Sequence, residues 1–136
     1  MSSRLLWMRL LFAALLVFIT YLTLTPNPDD TSGFAAARYV AKLLFGDAQF
    51  ADKIGHFAAY GALGAAAFWA ETFIFGRKRW TPLLLAAYGA ILEGVQGLGG
   101  VRTPEFADGL ANALGALSGF IGAYILAQLV RKVRAR

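Results

Sequence analysis

The stretch LLFAALLVFITYLTL, from Leu10 to Leu24, contains no charged residue, no glycine and no proline. Leu5, Leu6, Trp7 and Met8 extend it toward the N-terminus. Arg9 interrupts the run, but a long basic side chain can lie along apolar surface while its charged head reaches water. Residues 5–25 therefore meet the roughly 20 positions that a helix needs to cross a bilayer. Pro26 and Pro28 close the run, since proline removes a backbone donor and cannot continue a helix. A secretory signal peptide has a similar basic start and apolar middle. It also needs a small-x-small cleavage pattern soon after, and residues 21–28 are bulky or proline-containing, so a retained span is expected.

Working outward, three further apolar runs cover residues 54–75, 82–98 and 106–130. Pro82 suits a first helical turn, where its missing N–H costs nothing. The third run ends among Gly97, Gly99 and Gly100, which favour an early unwinding. The expected fold class is all-α: a polytopic membrane protein with four transmembrane helices, forming a single domain over residues 1–136. Composition agrees. Only 15% of the residues are charged and 58% are hydrophobic, whereas a soluble domain devotes about a quarter of its residues to charge. With no cysteine, disulfides and thiolate metal sites are excluded.

The net charge of +5 invites a nucleic-acid partner, but its distribution argues against one. Basic residues flank the apolar runs in short clusters and form no stripe interleaved with aromatics. Nine of the thirteen lie at the N-terminus (Arg4, Arg9), in the second connection (Arg77, Lys78, Arg79) or at the C-terminus (Arg131, Lys132, Arg134, Arg136). Arg38, Lys42, Lys53 and Arg102 fall on the other side, among most of the acids. The positive-inside rule then places both termini in the cytoplasm of a cell with the chain in its inner (plasma) membrane. Residues 26–53 become extracytoplasmic. There Phe34, Ala37, Ala41 and Leu44 recur at helical spacing, with Arg38 and Lys42 on another stripe. A short interfacial helix is expected, with an ordered loop as the alternative.

The polar residues inside this apolar frame point to a site, because ionisable groups are costly in lipid. Asp52, His56 and Tyr60 are spaced i, i+4, i+8 and share one helical face. Glu93 and Gln96 share a face near the end of the third run. Asp108, Asn112, Gly115 and Gly119 form a stripe on the fourth. With Lys53, Arg102 and Glu105 beside them, all fall at the same, outer end of the expected helices. Each has a plainer explanation. Glu105 and Asp108 open a helix, where negative charge complements the dipole and can cap free N–H groups. Asn112 can simply bond another helix, and a lone histidine at an interface is unremarkable. Ala111, Gly115, Gly119 and Ala123 read as a seam of small residues for close packing. Glu71, near Arg77, Lys78 and Arg79, reads as an interfacial anchor. Glu93 is hardest to dismiss, since no cation neighbours it in sequence; its partner is expected to be Arg102, Lys53 or His56.

Taken together, Asp52-Lys53-x-x-His56-Phe57-x-x-Tyr60, Glu93-x-x-Gln96 and Arg102-x-x-Glu105-x-x-Asp108-x-x-x-Asn112-x-x-Gly115 resemble the VanZ-like family. The resemblance covers residues 52 to about 119 and the preceding span. It implies a small polytopic membrane protein with a cell-envelope role; the family's founding member is associated with resistance to the glycopeptide teicoplanin. It implies no particular reaction.

Three functions compete. The first two share a polar site facing membrane lipids. One is recognition of an envelope lipid headgroup or a glycopeptide-related ligand by Asp52, Lys53, His56, Tyr60, Glu93, Gln96, Arg102, Glu105, Asp108 and Asn112. The other is a membrane-embedded enzyme acting on a phospholipid or a lipid-linked envelope precursor. In it His56 is the acid or base oriented by Asp52, with Glu93 and Asp108 as further catalytic candidates. Those two carboxylates could also hold a divalent metal such as Mg²⁺, Ca²⁺ or Mn²⁺. Arg102 and Lys53 would hold a phosphate or carboxylate of the substrate. No serine or cysteine nucleophile arrangement is visible. Ion or proton movement ranks last, because no chain of ionisable residues leads from Glu93 to the other face.

Overall fold

The computed structural model describes residues 2–25, 32–72, 77, 80–100 and 105–135. They form five α-helices and one short 3-10 turn, with no strand among the described residues. Helix α1 (Ser3–Leu24) begins where the Ser2 hydroxyl accepts the Leu5 N–H at 3.3 Å, satisfying one of the donors every helix start leaves open. Helix α2 (Ser32–Phe45) follows, then a 3-10 turn (Ala48–Phe50) capped by the Asp47 carboxylate at 2.9 Å from the Gln49 N–H. The chain continues through α3 (Ala51–Trp69), α4 (Thr81–Leu98) and α5 (Phe106–Arg134). Pro82 occupies the first turn of α4, as expected.

The second apolar run is shorter as a helix than residues 54–75. Glu71 takes a left-handed conformation, φ +52°, and the N–H groups of Glu71 and Thr72 turn back to the carbonyls of Phe68 and Ala67. This is the Schellman arrangement, in which a residue at positive φ lets its own amide and the following one close the last turn. Glycine ordinarily fills that position. The sequence carries no glycine there, which is why its apolarity reads as continuing. Residues 73–76 lie outside the described ones. Helix α5 errs the other way, running on to Arg134, past the expected end at residue 130. Its 29 residues span about 44 Å.

Helix directions follow from the contacts. Arg9 of α1 meets Ala70 at the end of α3, while Thr20 and Thr23 of α1 meet Tyr88 and Gln96 of α4. Helices α1 and α4 therefore run one way and α3 and α5 the other. The tightest packing joins α3 to α5. A Cβ on Gly119 would strike the Gly61 carbonyl, one on Gly115 the Phe57 carbonyl, and one on Gly64 the Ala116 carbonyl. Gly115 and Gly119 belong to the expected small-residue seam; the reciprocal glycines on α3 do not. Without glycine on both sides the two backbones could not approach so closely. Tyr60, Leu63, Ala67, Leu85, Ala116 and Ile19 form the core beside this seam.

Elsewhere the apolar residues face outward. In α1 only Ile19 is buried, while Trp7, Val17, Phe18 and Tyr21 are exposed. In α5, Leu110, Leu114, Leu117 and Ile121 form an exposed stripe. Continuous apolar surface of this extent belongs against lipid or a partner rather than water. Helices α1 and α5 are long and apolar enough, by length and composition, to cross a membrane. In α2, Ala37 and Ala41 are buried against Ala51 and Ile54, while Leu44 of the expected stripe is exposed. The side chain of Phe34 lies outside the described residues. The small residues thus dock α2 onto the start of α3.

Candidate functional site

Because α3 and α5 begin at the same end of the bundle and α4 finishes there, their polar positions meet. His56 is the hub. Its Nδ1 lies 2.9 Å from the Asn112 Oδ1 of α5 and 3.8 Å from the Glu93 Oε1 of α4; its Nε2 lies 3.7 Å from the Asp52 Oδ1 one turn earlier on α3. Three residues, one from each of three helices, thus surround one imidazole. With Asn112 Oδ1 accepting from an Nδ1–H, the Nε2 is the nitrogen that faces Asp52.

A second group adjoins it. The Lys53 Nζ lies 2.8 Å from Asp108, 2.5 Å from Glu105 and 3.5 Å from Asp52. Glu105 stands at the N-cap position of α5 but makes no capping hydrogen bond; its carboxylate goes to Lys53. The capping half of the helix-opening explanation therefore does not hold for Glu105, although its charge still stands at the start of α5. Asp108 is 3% exposed, and a carboxylate so buried needs a cation at hand. Lys53 precedes the apolar run that begins at Ile54.

Tyr60 lies one turn further into α3, 1% exposed, and Asn112 is equally buried. The Tyr60 hydroxyl and the Asn112 Nδ2 have no hydrogen-bond partner among the described residues. Gly89 of α4 admits them: a Cβ there would come within 3.0 Å of Asn112 and 3.1 Å of the Tyr60 ring. Two unsatisfied polar groups at the foot of a charged cluster are exceptional in a packed interior.

Gln96 belongs elsewhere. Its amide donates to the Thr23 carbonyl, one of the last-turn carbonyls of α1 that have no partner within their own helix. It ties α4 to α1 rather than joining the cluster. Arg102 lies outside the described residues. Arg9, expected to reach headgroups, donates its Nε to the Ala70 carbonyl at 3.2 Å, where a cation complements the end of α3.

A donor atom each from Asp52, His56 and Asp108 lies within 4.8 Å of the others, a set chemically suited to a divalent cation. Glu93, expected to share a metal with Asp108, is not in that set. The Lys53 ammonium already lies against Asp108 and Asp52. A metal would have to expel it, and a substrate phosphate that Lys53 was expected to bind would have to draw it away from these carboxylates. Further basic groups at this end come from α2, the expected interfacial helix. A cavity of about 610 Å³ beside the cluster is lined by Arg38, Tyr39, Lys42, Ala48, Gln49 and Asp52. Its only signal in the sequence is the i, i+4 spacing of Arg38 and Lys42. Asp52 belongs to both cavity and cluster.

No family model, curated protein or solved structure matches the chain.

Proposed function

We propose that the chain is a VanZ-like multi-pass protein of the inner (plasma) membrane that recognises an envelope lipid headgroup or a glycopeptide-related ligand at the outer leaflet. In this reading α1, α3, α4 and α5 are the four spans, both termini are cytoplasmic, and α2 lies at the outer interface. The alternating helix directions support this arrangement. So does the gathering of Arg4, Arg131, Lys132 and Arg134 at the end opposite His56.

The observation that carries the site is the double role of Asp52. It faces His56 at 3.7 Å and also lines the cavity that holds Arg38 and Lys42. A headgroup entering from lipid would set a phosphate or carboxylate against the two basic residues. A hydroxyl or amine on it would then meet Asp52 and the imidazole.

The second reading, a membrane-embedded enzyme, draws on the same contact. A His56 Nε2 beside a carboxylate can accept a proton from a headgroup hydroxyl, with Asp52 stabilising the imidazolium formed.

Profiling lipid-linked envelope precursors in a deletion strain, complemented with wild type, His56→Ala or Glu93→Gln, tests both. Recognition predicts unchanged precursor pools with altered glycopeptide sensitivity that neither variant restores. Catalysis predicts accumulation of one unmodified precursor. Complementation by Glu93→Gln equal to wild type would leave Glu93 as architecture. A reporter fused after Arg136 that is active only in the periplasm would overturn the topology.

A further inference from the structure

The end of the bundle opposite His56 holds a second cavity, of about 340 Å³, between the start of α1 and the ends of α3 and α5. Three guanidinium groups line it, those of Arg4, Arg131 and Arg134, against the single carboxylate of Glu71. Phe68 and Trp69 form its apolar wall. The Arg4 guanidinium lies 5.4 Å from the Trp69 ring centroid, a stacking that orients the group without consuming its hydrogen-bond donors. Arg131 and Arg134 are three apart, so they project from one face of α5. That face lies beyond the apolar length of the helix, since α5 exceeds the roughly 30 Å hydrocarbon core by about two and a half turns of rise.

We propose that this cavity binds the phosphate of an anionic phospholipid, with Arg131 and Arg134 on the phosphate oxygens, Arg4 closing the site, and the Phe68–Trp69 wall against the glycerol and upper acyl chain. Planar guanidiniums suit phosphate because they offer paired donors in a fixed fork. The mixed lining, exposed arginines beside half-buried aromatics, fits a lipid better than a free ion. The proposal rests on the bundle standing in a membrane, and not on what the His56 end binds.

The test uses the full chain in nanodiscs of phosphatidylcholine alone or with phosphatidylglycerol, reading thermal unfolding and the lipid retained on extraction. Wild type should be stabilised by phosphatidylglycerol and should retain it over phosphatidylcholine. The double variant Arg131→Gln/Arg134→Gln should lose that preference by about tenfold, as expected for removal of charge-assisted contacts. It should also unfold like wild type in phosphatidylcholine alone. Lys132→Gln removes the same charge from α5 outside the cavity lining and should keep the preference. Equal losses for Lys132→Gln and Arg131→Gln would reduce the effect to diffuse surface charge and overturn the site. Inorganic phosphate stabilising the protein in phosphatidylcholine as much as phosphatidylglycerol does would assign the cavity to a soluble anion and overturn the lipid. Loss of the reporter topology with the phosphatidylglycerol preference intact would affect only the orientation.

Discussion

At one end of the bundle Asp108 is 3% exposed and clasped by Lys53, and His56 is shared by Asp52, Glu93 and Asn112. At the other, Arg131 and Arg134 stand exposed around an open cavity with one carboxylate near them. Both ends are charged, but only the first has buried carboxylates, Asp108 and Glu93, among its charges. A buried charge needs a partner supplied at a definite distance by another element, so the acidic end constrains how α3, α4 and α5 pack. An exposed charge is solvated whatever its neighbours do, so the basic end constrains little and its groups stay available to a ligand. The same contrast separates the two cavities from the cluster between α3 and α5.

The sharpest way to break this comparison is Lys53→Met, which keeps the length of the side chain and removes the ammonium from Asp108, Glu105 and Asp52. Leaving Asp108 buried without its cation should cost on the order of 3 kcal/mol, measured by denaturant unfolding in detergent micelles. Adding Asp108→Asn should recover most of it. A loss no larger than that of a surface variant would mean that the acidic end is not organised by this pair.

Gly119→Ala should follow, at about 1–3 kcal/mol, because the added methyl meets the Gly61 backbone, which cannot step aside. Gly122→Ala, one turn on with nothing within 4 Å, is the matched control. It should be neutral or stabilise by up to about 1 kcal/mol, through the better helix propensity of alanine. Equal melting temperatures for the two would remove the α3–α5 seam as the feature that sets the register of the acidic end.

The smallest effect belongs to the basic end. Arg131→Gln with Arg134→Gln should change unfolding in uncharged detergent by no more than about 0.5 kcal/mol. A larger loss would show that these arginines hold the fold together, as Lys53 does.

The all-helical class and the approximate positions of the helices were legible in the sequence, because apolar runs bounded by proline, glycine and charge report local chain behaviour. So were the faces: Asp52, His56 and Tyr60 share a stripe at every fourth residue, and so do Asp108 and Asn112. Helix ends were less legible where an unusual residue did the work. Glu71 in a left-handed turn stops α3, and nothing in its chemistry announces that.

Periodicity states which face a residue occupies, but not what that face meets. That Lys53 holds Asp108, that Gln96 turns away to Thr23, and that Arg38 and Lys42 stand beside Asp52 depend on the register between helices far apart in sequence. That register is decided by backbone approach at Gly61, Gly64, Gly115 and Gly119, and by Gly89 making room for Asn112 and Tyr60. Glycine has no side chain to signal its partner, so the sequence alone determined the helices and their polar faces. Only the tertiary structure decided which polar groups became neighbours.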